Sequence, residues 1–490
     1  MTVGSRPSFR FRFLLLFVGV AANFPVAIYA ANQTNAAAKP NIVVILADDM
    51  NWNLPGFNRG QASTPNLDRM ARGGTQFRQF YVHAVCSPTR AAFLTGRYPF
   101  RNGMEERSHG NDTAGMLPDE RTLAQALKDA GYETALIGKW HLGNWYQRQL
   151  PLQRGFDYHY GIYGALVSYY GKTRDRYYDW HRNGETIREE GYTTDLLARD
   201  FEQHLAAKKS DRPFFYYLPF TAIHGPDTVP VEKNDELQKR LAKDSTDAAN
   251  RHHLLLTTKA LMLESLDTAV GRVLDAVEAQ GYRENTLIVF FNDNGGRLIN
   301  APFRGGKGDT YEGGVRVPCL FYWPGHVPAG KTVDGIVHVV DLYPTLINLA
   351  GGSINQPLAI DGMDIWDAIV TTKPIARTEV VHSLPGEHVE TGTQSIRQGP
   401  WKLVGNELYN LDVDSGETND VSVAHLDIVR QLKDRLQHLV AERRQAEPHL
   451  KIPHSPLLVF GEQENAHPPE WLTQYLESIS EPKKEKRQRK

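Results

Sequence analysis

Four short apolar runs, widely separated along the chain, constrain its architecture more than any other feature. They are "NIVVILA" (41–47), "ETALIG" (133–138), "PFFYYL" (213–218) and "TLIVFF" (286–291). Short apolar runs without regular alternation read as strands buried on both faces, the habit of a parallel sheet. Helical periodicity lies between them. In "TLAQALKDAGY", Leu123, Ala126, Leu127 and Ala130 share a face, and Gly131 supplies the stop. Leu263, Leu266, Val270, Val273, Leu274 and Val277 trace a longer amphipathic helix. Strands alternating with helices predict an α/β sandwich around a mostly parallel sheet.

The residues after each strand carry the chemistry. The first run is followed by Asp48 and Asp49, the second by Lys139 and His141, the third by His224, the fourth by Asp293 and Asn294. Ligands of open α/β sheets bind outside the carboxyl ends of the strands, so four distant positions are predicted to share one site. Singly, each motif has a plainer reading. Asp-Asp after a strand is often a turn or a helix cap, and the Asn-Gly of "NDNGG" is a hairpin signal. Convergence on strand ends raises them together. Asp48, Asp49, Asp293 and Asn294 offer only oxygen, and no paired Cys or His spacing suggests zinc. Hard oxygen donors suit Ca²⁺, with Mg²⁺ as the other candidate. Lys139 and Lys307 (in "FRGGKGD") are natural clamps for an anion beside such a cation.

Of 490 residues, Lys and Arg contribute 55 and Asp and Glu 57, a formal net charge of −2, so nothing global points to nucleic acid. The length suits one large domain and a small one. Arg6, Arg10 and Arg12 precede the apolar run "FLLLFVGVA", and small residues follow, which reads as an export signal over residues 1–30. Asn23 and Pro25 interrupt that run, so stable membrane insertion is not expected. Periplasmic or secreted placement follows. The stretch 226–250 is polar and reads as a surface excursion, 351–377 as a domain junction, and the charged tail within 451–490 as a solvated end.

Only two cysteines occur, Cys86 and Cys319, which could form one bridge. Cys86 stands in "YVHAVCSPTRAAFLTGR". Ser87 is a good N-cap and Pro88 a good first helical residue, so a short helix ending at Gly96 is expected with Cys86 at its N-terminus. The thiol could be inert and buried, or a nucleophile activated by the helix end and Arg90 with His141 or His224 as partner.

Cys86-Ser87-Pro88-Thr89-Arg90 followed by Leu94-Thr95-Gly96-Arg97 resembles the signature of type I sulfatases, of the alkaline phosphatase superfamily. "NIVVILADDM", "GKWHLG", "RGFDYHYG", "HGP", "NDNGG", "RGGKGDTYEGGVRVP" and "IRQGPWKLV…LYNLDVDSGE" follow the same family in order, over residues 39–450. By eye the arylsulfatase B-like branch is nearest. The resemblance implies an alkaline phosphatase-like fold, with a catalytic α/β domain (39–376) and a smaller antiparallel sheet-and-helix subdomain (377–450). It implies that a maturation enzyme converts Cys86 to formylglycine. The aldehyde hydrate offers one oxygen to attack sulfur and another to expel sulfate, dividing one displacement into two easier steps. It further implies that Asp48, Asp49, Asp293, Asn294 and the modified Cys86 hold the cation, and that Arg90 holds the hydrate. Lys139 and Lys307 would bind sulfate, His224 would protonate the leaving oxygen, and His141 would act as base in the second step.

Arg304, Arg316 and His338 are assigned structural places. Tyr160, Tyr163, Tyr169 and Tyr170 suit either stacking on sugar rings or core packing. The implied activity is hydrolysis of sulfate monoesters, on sulfated carbohydrate. Two other readings stand beside it: a phosphodiesterase or phosphonate monoester hydrolase of the same superfamily, and an exported glycan-binding protein without catalysis.

Overall fold

The computed structural model describes Met1 and residues 39–106, 113–174, 177–241, 247–371, 373–383 and 394–444. The expected export signal (1–30) and the charged tail (451–490) lie outside this set. The chain divides into Met1–Ala38 and Lys39–Lys490, and the architecture below is that of the second unit. Among the described residues, no helix is long and apolar enough to cross a membrane.

All four apolar runs form strands: Asn41–Ala47, Glu133–Lys139, Phe214–Pro219 and Thr286–Asn292. They lie together in an eleven-stranded sheet. Thr286–Asn292, Asn41–Ala47, Phe214–Pro219, Glu133–Lys139 and Tyr158–Ile162 run parallel in that spatial order. Beyond Thr286–Asn292, the strand Arg316–Tyr322 turns antiparallel and pairs with Thr75–Tyr81. The sheet is therefore mixed and mostly parallel at its centre.

The strand Asn41–Ala47 is buried along its whole length because each face meets a helical layer. Ile42, Val44 and Leu46 pack on one side with residues of the helices Cys86–Thr95, Leu123–Asp129 and Leu342–Leu349. Val43, Ile45 and Ala47 pack on the other with the helices Pro65–Gly73, Thr193–Ala206 and Asp247–Ala279. Helix Leu123–Asp129 starts with a Thr122–Gln125 capping box, and Gly131 beyond its end has φ 93°. The long helix extends well beyond the periodic residues that announced it.

A second sheet has four antiparallel strands: Glu379–Ser383, Gln394–Gln398, Trp401–Val404 and Glu407–Asn410. Helix Leu426–Val440 buries Leu432, Leu436 and Leu439 in the same core as Ile396, Leu403 and Leu408. That core is continuous with one face of the large sheet. Inside the polar stretch 226–250, the helix Asn234–Leu241 has no fully buried residue.

Two local expectations need correction. Helix Cys86–Thr95 begins two residues before Pro88, after an extended Val85, and Ser87 does not cap it. The reason is local: Thr89 Oγ1 accepts from His83 N (2.9 Å) and donates to His83 O (3.2 Å), drawing the preceding loop onto the first turn. The stop at Gly96 holds, with φ 66°. The Cys86–Cys319 bridge does not form; both thiols are free and buried. Cys319 is fixed inside the strand Arg316–Tyr322, opposite Phe291 and Phe77, where it packs as a small apolar group.

Candidate active site

Strand register builds the site. Ala47 is paired with Asn292, so Asp48 and Asp293 leave the sheet side by side. Asp293 N donates to Ala47 O (3.1 Å) and Asp49 N to Asp293 Oδ1 (3.2 Å). The loop after Phe214–Pro219 is pinned to the same edge, because Ile223 N donates to Asp48 O (2.8 Å). This brings His224 Nε2 within 3.5 Å of Asp49 Oδ2. Lys139, the last residue of its strand, reaches Asp48 Oδ2 with Nζ at 2.6 Å. Asp49 and His141 adopt left-handed backbones, with φ 60° and 59°. Non-glycine residues held there carry about 1–3 kcal/mol of strain and cluster at functional sites.

Cys86 enters from the first turn of its helix. Its thiol lies 3.5 Å from Asp48 Oδ1 and 3.3 Å from Lys307 Nζ. Lys307 Nζ also reaches Asp49 Oδ1 at 2.5 Å. Arg90, one turn along that helix and fully buried, donates to Asp293 Oδ2 (2.7 Å) and to Lys139 O (3.1 Å). His141 is buried, its backbone N donating to Tyr163 O (3.0 Å) beside the end of Glu133–Lys139. Every expected site residue thus lies at the carboxyl edge of the sheet, or on a helix or loop beside it.

A close approach explains the glycines of "NDNGG". A Cβ on Gly295 would lie 1.8 Å from Gly313 O. Gly295 N instead donates to Gly314 O (2.9 Å), so the Asp293 turn and the loop carrying Lys307 clasp backbone to backbone.

The ligand atoms of Asp48, Asp49, Cys86 and His224 all lie within 4.8 Å of one another. His224 stands in this group beside three of the expected ligands, and Asp293 adjoins it, with Oδ1 accepting from Asp49 N and Oδ2 from Arg90 (2.7 Å). A hard cation fits. Asp49 Oδ2 and Asn294 Oδ1 are buried acceptors without a hydrogen bond, and such groups are rare unless a ligand or ion uses them. Three carboxylates face three strong cations, Arg90, Lys139 and Lys307, so the cage is formally neutral. A divalent ion would turn it positive, as binding an anionic ester requires.

The charges are mutually enforced. Burial works against ionised Asp48, but Lys139, His224 and Arg90 hold its carboxyl well below the usual range. Burial and Asp48 push Asp293 up to about 6. Burial opposes the Lys307 ammonium, yet Cys86, Asp49 and Asp48 hold its pKa above the ordinary value. Burial moves His224 down to about 4, against Asp48 and Asp49. Burial, then Asp293 and Asp48, push the Cys86 thiol up to about 12. The helix end and Arg90 therefore do not make Cys86 a thiolate, and the unmodified thiol is poorly suited to be the nucleophile.

Of the four tyrosines, Tyr160, Tyr163 and Tyr169 are core, and only Tyr170 is partly exposed, at 38 %. His338 is a buried histidine whose Nδ1 accepts from Val340 N (3.3 Å). Arg304 stacks on Tyr311, 3.9 Å from the ring centroid, and Arg316 pairs with Glu312 (3.2 Å). Arg297 was missed by sequence reasoning. Its Nε lies 3.7 Å from Asp49 Oδ2 with the side chain 63 % exposed. Only its place three residues after Asn294 could have flagged it.

Known proteins resemble this chain in sequence and fold. A crystal structure of Ps i-CgsB in complex with k-i-k-neocarrahexaose superposes with TM-score 0.75 at 31 % identity, covering 83 % of this chain and 94 % of that one. The phosphonate monoester hydrolase of Agrobacterium radiobacter shares the fold alone, with TM-score 0.62 at 20 % identity, over 82 % of this chain and 96 % of that one. The architecture is thus that of the alkaline phosphatase-like α/β hydrolases. The sulfatase family model matches residues 40–353, and the model for the C-terminal part of N-sulphoglucosamine sulphohydrolase matches 306–442. Arylsulfatase J of Mus musculus is 30 % identical over 395 residues, 78 % of this chain and 63 % of that protein. N-acetylgalactosamine-6-sulfatase of Mus musculus is 35 % identical over 366 residues, 67 % of this chain and 66 % of that protein. The chain spans just under two thirds of the length of these two relatives. It belongs to the sulfatase family, whose members hydrolyse sulfuric esters.

Proposed function

We propose that this protein hydrolyses sulfate monoesters of carbohydrates by S–O cleavage, with formylglycine derived from Cys86 as the nucleophilic residue. The observation that carries the reading is the cage itself. A buried cysteine touches Asp48 and Lys307 beside two orphaned oxygen acceptors, Asp49 Oδ2 and Asn294 Oδ1. A thiol held up at about 12 has no evident task there, whereas its oxidised form does. Asp48, Asp49, Asp293, Asn294 and the modified residue 86 would hold a divalent cation, Ca²⁺ by the donor chemistry, supplying Lewis acidity toward sulfate and hydrate oxygen.

The chain's own residues perform the rest. Lys139 and Lys307 bring two ammonium groups to the carboxylates and turn to sulfate oxygens when substrate enters. Arg90 neutralises Asp293 and orients residue 86. His224 stands beside Asp49 and passes a proton to the leaving oxygen; burial keeps its imidazole neutral in the free protein, so that proton is taken up as the anionic ester binds. His141, held at the end of the Lys139 strand, takes the proton that releases sulfate.

The carbohydrate substrate is supported by the relatives. One is named for N-acetylgalactosamine 6-sulfate and one structural neighbour holds neocarrahexaose. We further propose export to the periplasm or beyond, maturation by a formylglycine-generating enzyme, a catalytic domain over 39–376 and a subdomain over 377–450. The test is mass spectrometry of the peptide 81–97 from protein made with the maturation enzyme, coupled to sulfate release. An aldehyde at residue 86 and sulfate released from sulfated saccharides support the reading. An intact thiol in protein that still releases sulfate would overturn it.

A further inference from the structure

On the same edge of the sheet as the cage lies a cleft of about 590 Å³ that the reaction does not use. Its size is that of clefts that hold small ligands. Asp227 and Val229 line it from the continuation of the His224 loop, Arg251 and Leu254 from the long helix, and Tyr170 and Val231 complete it.

The cleft is tied to the cage. Buried Tyr169 holds its hydroxyl 3.0 Å from Thr221 O and 2.9 Å from His224 O, sharing one O–H between them, and the next residue is Tyr170. Lys259 Nζ binds Ile223 O and lies 2.7 Å from Asp227 Oδ1. Asp227 is the third residue after His224, so their Cα atoms are no more than about 11 Å apart. That is the reach of about two linked sugar rings.

Its lining is unusual for surface. Tyr170 accepts from Val231 N at its hydroxyl (2.8 Å) and leans on Tyr192 at 5.5 Å, so its ring is fixed before any ligand arrives. Around it Val231 and Leu254 stay 63 % and 43 % exposed. Arg251 is exposed, and no described carboxylate pairs with it. A fixed aromatic ring, exposed aliphatic groups, a carboxylate and a spare guanidinium match a pyranose ring bearing an acidic substituent. The sugar's C–H face meets the ring, its hydroxyls meet Asp227, and its anion meets Arg251.

We propose that this cleft is a subsite for a neighbouring sugar of the same glycan chain, one or two rings from the sulfate under attack. The protein is then built for sulfated oligosaccharides rather than monosaccharides. The inference rests on the sulfatase reading above and deepens it.

The test compares matured enzyme on three probes: neocarrahexaose, a chondroitin 6-sulfate hexasaccharide and 4-nitrophenyl sulfate. The readout is the ratio of kcat/KM on a hexasaccharide to that on the aryl sulfate. Tyr170→Ala and Arg251→Gln should each lower that ratio about tenfold, through KM. Tyr170→Phe, which keeps the ring, should lower it less. Thermal midpoints check that the variants fold. An unchanged ratio in Tyr170→Ala and Arg251→Gln, on whichever hexasaccharide is turned over, overturns the subsite. If no probe is turned over, the sulfatase reading fails, and calorimetric binding of the hexasaccharides decides the subsite alone. Weaker binding by Tyr170→Ala supports it; equal binding, or none by the native protein, overturns it.

Discussion

At the scale of single residues, the cage assigns each group a task by what it touches. Lys139 Nζ is fully buried against Asp48 (2.6 Å) and has no purpose there except to meet negative charge. Lys139→Ala should lower kcat by about 10²–10³, the loss seen when one preorganised oxyanion donor is removed. Steady-state sulfate release measures it, and a near-native rate would refute the role. His224 makes a different demand. A general acid matters more when the leaving group is a poor one. His224→Ala should therefore cost far more on a sugar sulfate, which leaves as an alkoxide, than on an aryl sulfate, which leaves as a phenoxide. Equal losses on the two would remove His224 from proton transfer. These residues were legible because each follows a buried strand, and strand ends converge. Arg297 was not, since an exposed arginine acquires meaning only when folding sets it 3.7 Å from Asp49.

Elements are held in place by a buried ion network that no local pattern announces. Lys402, on the strand Trp401–Val404, puts Nζ 2.9 Å from Glu312 and 2.8 Å from Glu417. Glu312 also accepts from Tyr81 OH (2.7 Å) and pairs with Arg316. Its carboxyl lies at about 2: burial opposes this, but Lys402 and Arg316 outweigh it. Burial pushes the neighbouring Glu417 up to about 7. Glu312 opens the turn a few residues after Lys307, so the small sheet braces the loop that carries Lys307. Lys402→Met would leave Glu312 and Glu417 buried without their shared cation. Breaking such a pair costs about 3–5 kcal/mol, which urea unfolding should report, together with a raised KM as the Lys307 loop loosens. Alternating residues in "IRQGPWKLVG" predicted half-buried strands, and strands they are. That pattern could not show that Lys402 points inward, because its partners lie on another element. Ser87 failed as a cap for a nearer reason, the His83–Thr89 bonds having set the start of that helix.

Across the whole molecule, the two sheets meet at three buried histidines. His83 follows the strand Thr75–Tyr81, His338 closes a short strand beside it, and His382 belongs to the small sheet. Their ring centroids are 4.9, 5.7 and 5.8 Å apart. Burial holds His83 down at about 3. Burial, then His83 and the neighbouring cations Arg377 or Lys402, hold His338 and His382 far below the ordinary range, with Glu312 a weaker opposing influence on His382. All three are neutral in the folded protein at pH 7.5. In the unfolded chain each takes a proton near pH 6.5. Between that value and the depressed folded values the unfolded state binds more protons, so stability falls as pH falls. The slope approaches about 1.4 kcal/mol per pH unit for each histidine. Glu120 and Asp200, raised by burial to about 7 and about 6, act in the opposite sense. The total curve is therefore a poor readout, and a difference between variants is the right one. His382→Leu should lose stability at pH 7.5 through its lost bond to Ser395 (3.1 Å). Below about pH 6 the gap to the native protein should narrow by about 1.4 kcal/mol per unit. Urea unfolding at pH 7.5, 6 and 5 measures the gap, and a constant gap would show that His382 takes up its proton without opening the joint between the sheets.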